Sequence, residues 1–140
     1  MRGHRALLIA GFSLAAVLPL TVPACDSNGG GGPSNALFAS WNATSFMAQG
    51  TDYIAGGMVL VMTFQSGGTY VLDVTNDLIG ACDPGPDCSN TGTFTRSGNQ
   101  LTLDPGSADE VTFVYAISGT TLTLTGSIGG ISAAIVLEKV

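Results

Sequence analysis

Two cysteines have a spacing that could carry chemistry. Cys82 and Cys88 are separated by five residues, whereas redox-active dithiols commonly follow the Cys-X-X-Cys pattern. In an exported protein an isolated pair of this kind forms a structural disulfide. Closing so short a loop stabilises a fold by about 2 kcal/mol in the chain-entropy model. We therefore expect a Cys82–Cys88 disulfide with a structural role.

The loop around this pair is rich in oxygen ligands, which are Asn76, Asp77, Asp83, Asp87 and Asn90. Hard oxygen ligands in one loop can bind calcium weakly. Their spacing matches no EF-hand, however, and acidic loops are commonly solvated turns. We expect no resident metal ion, with weak calcium binding by the 76–90 loop as the alternative.

The residues that most enzymes use for acid–base or nucleophilic catalysis are scarce. The only histidine is His4, which would be lost if residues 1–24 were removed. No general base, zinc ligand or partner for a Ser or Cys nucleophile of the usual kind would then remain. The glycines at 29–32 neither follow a strand nor precede a helix, as a phosphate-binding loop requires. We expect no enzymatic activity and no cofactor.

The first 24 residues have the layout of an export signal. Arg2 and Arg5 give a basic start, and a charge-free, largely apolar stretch follows to residue 24, as in secretory signal peptides. That stretch is close to bilayer-spanning length, so an uncleaved anchor is the alternative. Pro19 and Pro23 favour cleavage, because proline interrupts a helix. We expect residues 1–24 to be a cleaved signal peptide.

The end of this segment is Val22-Pro23-Ala24-Cys25, which resembles the lipobox of bacterial lipoprotein signals. The resemblance implies that Cys25 becomes the N-terminus and receives a diacylglyceryl group, with a further acyl chain such as palmitate on its amine. Two or more acyl chains give stable membrane anchoring. An ordinary secreted protein with an unmodified cysteine is the alternative.

The chain that follows Cys25 has the composition of a tether. Residues 26–35 contain no large apolar side chain and include four consecutive glycines, which is typical of a flexible linker. We therefore expect residues 25–35 to connect the lipid to one domain over 36–140. The protein would lie in the cell envelope, facing the periplasm or the cell surface, on a membrane that the sequence leaves open.

The chain beyond the signal is strongly acidic. Residues 25–140 contain two cations, Arg96 and Lys139, against ten carboxylates, a formal charge of −8. Such a surface repels phosphates, because no basic patch is present to release counterions from them. We expect no binding to nucleic acid.

Residues 36–140 have the patterning of an all-β domain. Apolar residues alternate with Thr or Ser, as in Thr-Leu-Thr-Leu-Thr at 121–125, and glycines separate the runs. Alternation with period two predicts strands. We predict eight, near residues 37–48, 57–65, 69–76, 91–96, 100–104, 110–117, 120–126 and 131–139.

Short connections between these runs favour antiparallel neighbours. No stretch has the capped helical periodicity that a parallel crossover needs. An up-and-down meander that closes into a barrel leaves no exposed edge. We therefore predict an eight-stranded antiparallel up-and-down barrel, with a two-sheet β-sandwich as the alternative.

The domain resembles the small bacterial lipocalin-like proteins of the calycin group. Its first strand contains Ala39-Ser40-Trp41 and its later part the hairpin over 115–124, where lipocalins have a G-x-W signature and a similar hairpin. The resemblance implies a barrel that binds a small apolar molecule. It also implies that a cation, Lys139 or Arg96, covers the ring of Trp41.

Alternation places a set of apolar and aromatic side chains on the inner face, where they could contact such a ligand. The candidates are Trp41, Met58, Leu60, Met62, Phe64, Tyr70, Leu72, Phe113 and Tyr115. Small eight-stranded barrels either fill with side chains or keep one cavity, and short strands favour a filled interior. The sequence leaves two functions open: a lipid-anchored protein that binds a small apolar ligand, and a structural or interaction lipoprotein whose acidic loops contact an envelope protein.

Overall fold

The computed structural model describes residues 33–140, so the predicted signal peptide and Cys25 lie outside the described residues. One short helix is followed by nine strands. Their bounds are α1 Pro33–Ala36, β1 Ser40–Ala48, β2 Thr51–Asp52, β3 Val59–Phe64, β4 Thr69–Thr75, β5 Cys88–Ser97, β6 Gln100–Leu103, β7 Val111–Ser118, β8 Thr121–Ile128 and β9 Ile131–Lys139.

The strands form where apolar and polar residues alternate in the sequence, because one face of each strand is buried and the other faces solvent. In β3 the side chains of Leu60, Met62 and Phe64 are at most 4% exposed. In β8, Leu122 and Leu124 are fully buried, and the residues between them are less so. The apolar face therefore points to a single core.

The sheet closes on itself as an antiparallel barrel. Every long strand pairs with its neighbour in sequence, and β1 also pairs with β9, from Trp41 opposite Lys139 to Ala48 opposite Ala133. The two-residue β2 lies outside this circle, paired only with the end of β1. The prediction of an eight-stranded up-and-down barrel is confirmed, and the sandwich alternative is wrong because all the strands belong to one hydrogen-bonded sheet.

A β-bulge in β1 changes which residues face the core. The register with β9 shifts between Ala43 and Ser45, so Thr44 is an extra residue. Trp41 and Ala43 are buried before the bulge, and Phe46 is buried after it. Bulges bend and twist a strand. Here the inward-facing residues of β1 have odd numbers before the bulge, and Phe46, an even-numbered residue, faces inward after it.

One end of the barrel is plugged by the segment before β1. Leu37 and Trp41 are fully buried, and the Trp41 indole N–H donates to the Leu37 carbonyl at 2.9 Å. Either Lys139 or Arg96 was expected to cover Trp41, but Arg96 lies over the Phe38 ring, with its guanidinium carbon 4.9 Å from the ring centroid. We call this end, with the turns at 65–68, 98–99 and 119–120, the closed end.

The opposite end bears the longer connections, over 49–58, 76–87 and 104–110, with the turn at 129–130. We call it the open end. Its first connection is organised by Asp52, whose carboxylate accepts hydrogen bonds from the Ser45 hydroxyl and from the Phe46, Ile54 and Ala55 amides.

The differences from the prediction that matter most for the core and the sheet are at three boundaries, and the other predicted strand ends lie within two residues of the observed ones. Residues 37–39 precede β1 instead of belonging to it, since Leu37 turns inward to cover the core. The helix α1 begins at Pro33, inside the predicted linker 25–35. The fifth strand begins at Cys88, earlier than the predicted residue 91, because it continues to pair with β4 as far as Val74.

Residues 33–140 contain a complete barrel. Among the described residues, the core runs from Leu37 to Leu137, and the sheet closes through strands of this part. We infer that this part of the chain can fold without residues 1–32. Within it no helix is long and apolar enough to cross a bilayer.

We expect Trp41→Phe to destabilise the barrel. The substitution leaves the buried Leu37 carbonyl without its donor, which costs about 1–3 kcal/mol. Urea denaturation followed by circular dichroism measures the effect. An unchanged free energy of unfolding would show that the closed end does not depend on this hydrogen bond.

We expect the stabilising effect of Asp52 to depend on pH. Hydrogen bonds from the Ser45 hydroxyl and the Phe46 amide, with smaller contributions from Ala55 and Ile54, outweigh desolvation and lower the pKa of Asp52. A lowered folded-state pKa gives stability that is present above the unfolded value, near 4, and is lost as the pH falls through the folded value.

The test compares Asp52→Asn with the parent chain by urea denaturation at neutral pH and near pH 3. The variant should be less stable at neutral pH, and the difference should shrink in acid. Asp73→Asn, which changes an exposed carboxylate of β4, is the matched control and should show neither effect. A deficit for Asp52→Asn that is the same at both pH values would contradict the assignment.

Candidate functional site

The open half of the barrel contains a cavity of about 560 Å³. Side chains of all eight barrel strands contribute to its wall, and part of the 76–87 loop covers it. The lining residues are Phe46, Leu60, Met62, Tyr70, Leu72, Ile79, Ala81, Asn90, Thr91, Leu103, Asp104, Asp109, Val111, Phe113, Ile128 and Ile135. The wall is mainly apolar, and the polar groups lie on one side of it.

The expectation of a filled interior holds for the closed half of the barrel only. There the rings of Phe64 and Phe94 pack edge to face, with centroids 5.2 Å apart, and Leu101 and Leu122 are fully buried. In the open half, Leu60, Met62 and Leu72 line the cavity of about 560 Å³ instead of filling it. Strand length alone did not indicate this.

Five of the nine predicted ligand-contact residues line the cavity. They are Leu60, Met62, Tyr70, Leu72 and Phe113. The other four are not part of its wall. Trp41 and Phe64 belong to the packed closed half, and Met58 is fully buried just before β3. Tyr115 lines a shallower groove at the closed end, together with Phe38 and Arg96.

The polar side of the cavity is built around one hydrogen bond. The Tyr70 hydroxyl donates to Asp104 Oδ2 at 2.5 Å, and the Thr93 amide donates to Asp104 Oδ1 at 3.0 Å. Asp104 follows β6 with a φ of 47°, a left-handed conformation that Asp tolerates better than most residues. This backbone turn aims the carboxylate back over β5 and toward Tyr70.

Gly92 makes this approach possible. It lies on the inward face of β5, opposite Tyr70 on β4. A Cβ at this position would collide with Asp104 Oδ1 and would lie only 2.6 Å from Cε1 of the Tyr70 ring. The absence of a side chain at residue 92 therefore lets the tyrosine and the carboxylate meet above the strand.

The tyrosine is held in its protonated form. Burial raises the pKa of Tyr70 above its usual range, and the hydrogen bond to Asp104 and the negative charges of Asp104 and Asp109 raise it further. The hydroxyl thus keeps its proton, with which it makes the hydrogen bond to Asp104, and its oxygen can still act as an acceptor.

The 76–87 loop forms the cover of the cavity. Ile79 and Ala81 line the barrel cavity and also a second hollow of about 370 Å³ between this loop and the 129–130 turn. Leu78 and Ile79 are nonetheless 46% and 40% exposed. The loop is closed by a disulfide between Cys82 and Cys88, which confirms the predicted bridge.

Carboxylates of the 76–87 loop accept hydrogen bonds from backbone amides. Asp77 accepts hydrogen bonds from the Ile79 and Cys82 amides, and Asp87 accepts one from the Asn76 amide. Desolvation raises the pKa of Asp77, but amide donors led by Cys82 and Ile79 outweigh it, so the pKa is lowered. Within residues 33–140 no group of three or more acidic, His or Cys side chains converges as a metal site.

Sequence reasoning missed several wall residues. Phe46 was missed because the β-bulge changes its face, and Ile79 because a loop residue has no strand periodicity to place it. Asp104 was available at the end of the predicted strand 100–104, but its contact with Tyr70 spans 34 residues and leaves no local pattern.

The chain is similar to several solved structures at low sequence identity. The chain is similar to a fatty acid transporter, REP1-NXSQ, at 11% identity and a TM-score of 0.47, over 76% of this chain and 98% of that chain. It is similar to fatty-acid-binding protein 1 of Echinococcus granulosus at 11% identity and a TM-score of 0.44, with the same coverage. Secretory abundant heat soluble protein 4 from Ramazzottius varieornatus gives 13% identity and a TM-score of 0.39, over 74% of this chain and 94% of that chain.

No curated protein matches the sequence. A family match is nevertheless present. Residues 37–124, more than half of the chain, match the lipocalin-like domain, and the strand pairing of the barrel agrees with that assignment. The chain belongs to the lipocalin-like domain family.

Proposed function

We propose that this protein binds a small apolar molecule in the barrel cavity while a lipid on Cys25 holds it at the membrane. The cavity is the observation that carries the first part. Its volume of about 560 Å³ lies within the range of roughly 300–1,000 Å³ that is typical of small-molecule sites. An apolar wall with a few convergent polar groups is the usual form of such sites.

The composition of the wall fits a flexible apolar ligand. Met62 and Leu72 are unbranched at Cβ and can adjust to different shapes, and Phe113 offers a flat apolar surface. Tyr70 and Asp104 form one polar group in the wall, which could orient a ligand by a hydrogen bond. A barrel with a filled interior, the structural alternative, would not keep an open volume lined by all eight strands.

The lipid anchor rests on the sequence. The basic start, the charge-free stretch and the lipobox-like Val22-Pro23-Ala24-Cys25 occur in the order that a lipoprotein signal requires. The glycine-rich residues that follow would let the barrel stand away from the bilayer. We place the mature protein in the cell envelope, with its barrel facing the periplasm or the cell surface.

We propose a binding protein and not an enzyme. Residues 25–140 have no histidine, and the tyrosine that faces the cavity is held protonated, so it would act as a hydrogen-bonding group and not as a base. The chain therefore offers recognition chemistry at this site.

We expect Leu72→Trp to weaken ligand binding by filling the cavity. The larger side chain takes up volume that a ligand would need, and we expect the dissociation constant to rise by at least about tenfold, equivalent to about 1.4 kcal/mol. The probe is N-phenyl-1-naphthylamine, a neutral apolar fluorophore, titrated into residues 25–140 with Cys25→Ser in detergent-free buffer.

The matched control is Val71→Trp, which adds the same side chain one residue away, on the outer face of β4. It should bind the probe like the parent chain. Circular dichroism should show the same fold for both variants. Failure of the parent chain to bind the probe, or equal weakening by both substitutions, would contradict a binding site in the barrel.

We expect Cys25→Ser to abolish lipidation and membrane attachment. The full chain, produced in a bacterium that processes lipoproteins, should fractionate with membranes and carry a mass increase at residue 25, since the thioether forms on this sulfur. The double variant Cys82→Ser, Cys88→Ser is the control and should remain lipidated. A soluble parent chain without added mass would overturn the anchor and leave the binding proposal intact.

A further inference from the structure

Most carboxylates of the barrel are at its open end. Seven carboxylates lie in the loops or at the strand ends of the open end: Asp52, Asp77, Asp83, Asp87, Asp104, Asp109 and Glu110. Among residues 33–140 the two cations, Arg96 and Lys139, lie at the closed end, near the last residues of β5 and β9. The mouth of the cavity is therefore uniformly negative.

Two of these carboxylates belong to the cavity wall itself. Asp104 and Asp109 both line it, and Asp104 is half-buried beside the Tyr70 ring. Each oxygen of Asp104 accepts one hydrogen bond from the protein and has a second lone pair available. The hydroxyl proton of Tyr70 is already donated to Asp104, so the phenol also presents an acceptor.

Among residues 33–140 no basic side chain lines this cavity. A carboxylate head group of a ligand would have to approach Asp104 and Asp109 without a cation to pair with, and like charges at close range in a partly desolvated site repel strongly. A protonated amine could donate to Asp104 while its alkyl chain fills the apolar wall.

We propose that the cavity selects an apolar molecule that ends in a protonated amine and discriminates against the corresponding carboxylate. This inference rests on the proposed binding function and adds the chemical class of the ligand. Asp104 and Asp109 are the residues that determine the preference. The acidic open end would also concentrate cationic molecules at the mouth, because a surface of one sign steers ligands of the opposite sign toward it.

The test is displacement of bound N-phenyl-1-naphthylamine from residues 25–140 with Cys25→Ser. The competitors share one alkyl chain and differ in head group: decylamine, decanol and decanoate, at neutral pH and below their micelle concentrations. We expect decylamine to bind at least about tenfold more tightly than decanoate, as two nearby carboxylates would produce, with decanol between them. Added salt should narrow the difference.

Variants assign the preference to the two carboxylates. Asp104→Asn combined with Asp109→Asn should bring decylamine and decanoate within about threefold of each other, since the head groups would then meet neutral amides. Asp109→Asn alone changes an exposed loop residue and should give an intermediate ratio even if the double variant folds poorly. Asp73→Asn, outside the cavity wall, should keep the parent ratio.

The outcomes separate this inference from the proposed function. If neither the fluorophore nor any competitor binds, the binding function is wrong and the inference falls with it. If decanol and the fluorophore bind but decanoate competes as well as decylamine, only the head-group preference is wrong. An amine preference that survives in both Asn variants would overturn the assignment to Asp104 and Asp109.

Discussion

The pairing of the first long strand with the last is the constraint on which the rest of the structure depends. β1 and β9 pair from Trp41 opposite Lys139 to Ala48 opposite Ala133, and this pairing turns a sheet with two free edges into a closed wall. Closure satisfies the edge hydrogen bonds and gives the alternating apolar residues one shared interior. The bulge at Thr44 keeps β1 on this path and brings Phe46 inside.

The interior so formed is used differently at its two ends. At the closed end, Leu37 and Trp41 plug the barrel and aromatic rings fill it. At the open end, loops replace that plug and a cavity of about 560 Å³ remains. The acceptors of the site occur at this end, where Gly92 leaves room for the Tyr70–Asp104 hydrogen bond. The packed core thus lies in one half of the barrel and the proposed binding site in the other.

Most of the fold could be predicted from the sequence, because alternation and short turns are local signals. β8 and β9 were expected almost at their observed bounds, and the Cys82–Cys88 bridge followed from spacing. The site was predicted less well. Alternation assigns a residue to the inner face but not to a depth along the barrel, so Leu72 and Phe64 looked equivalent although only Leu72 reaches the cavity. Asp104 depends on a left-handed turn and a distant tyrosine, neither of which has a local signature.

The central claim is that the open half of the barrel is an accessible apolar site. Methyl-¹³C labelling of methionine tests it directly by nuclear magnetic resonance, because Met62 lines the cavity, Met58 is buried outside its wall and Met47 is 39% exposed. Titration with decanol should shift the Met62 methyl signal in a saturable manner and leave the Met47 signal in place. A Met62 signal that does not move at decanol saturation, or equal shifts at all three methionines, would contradict the account.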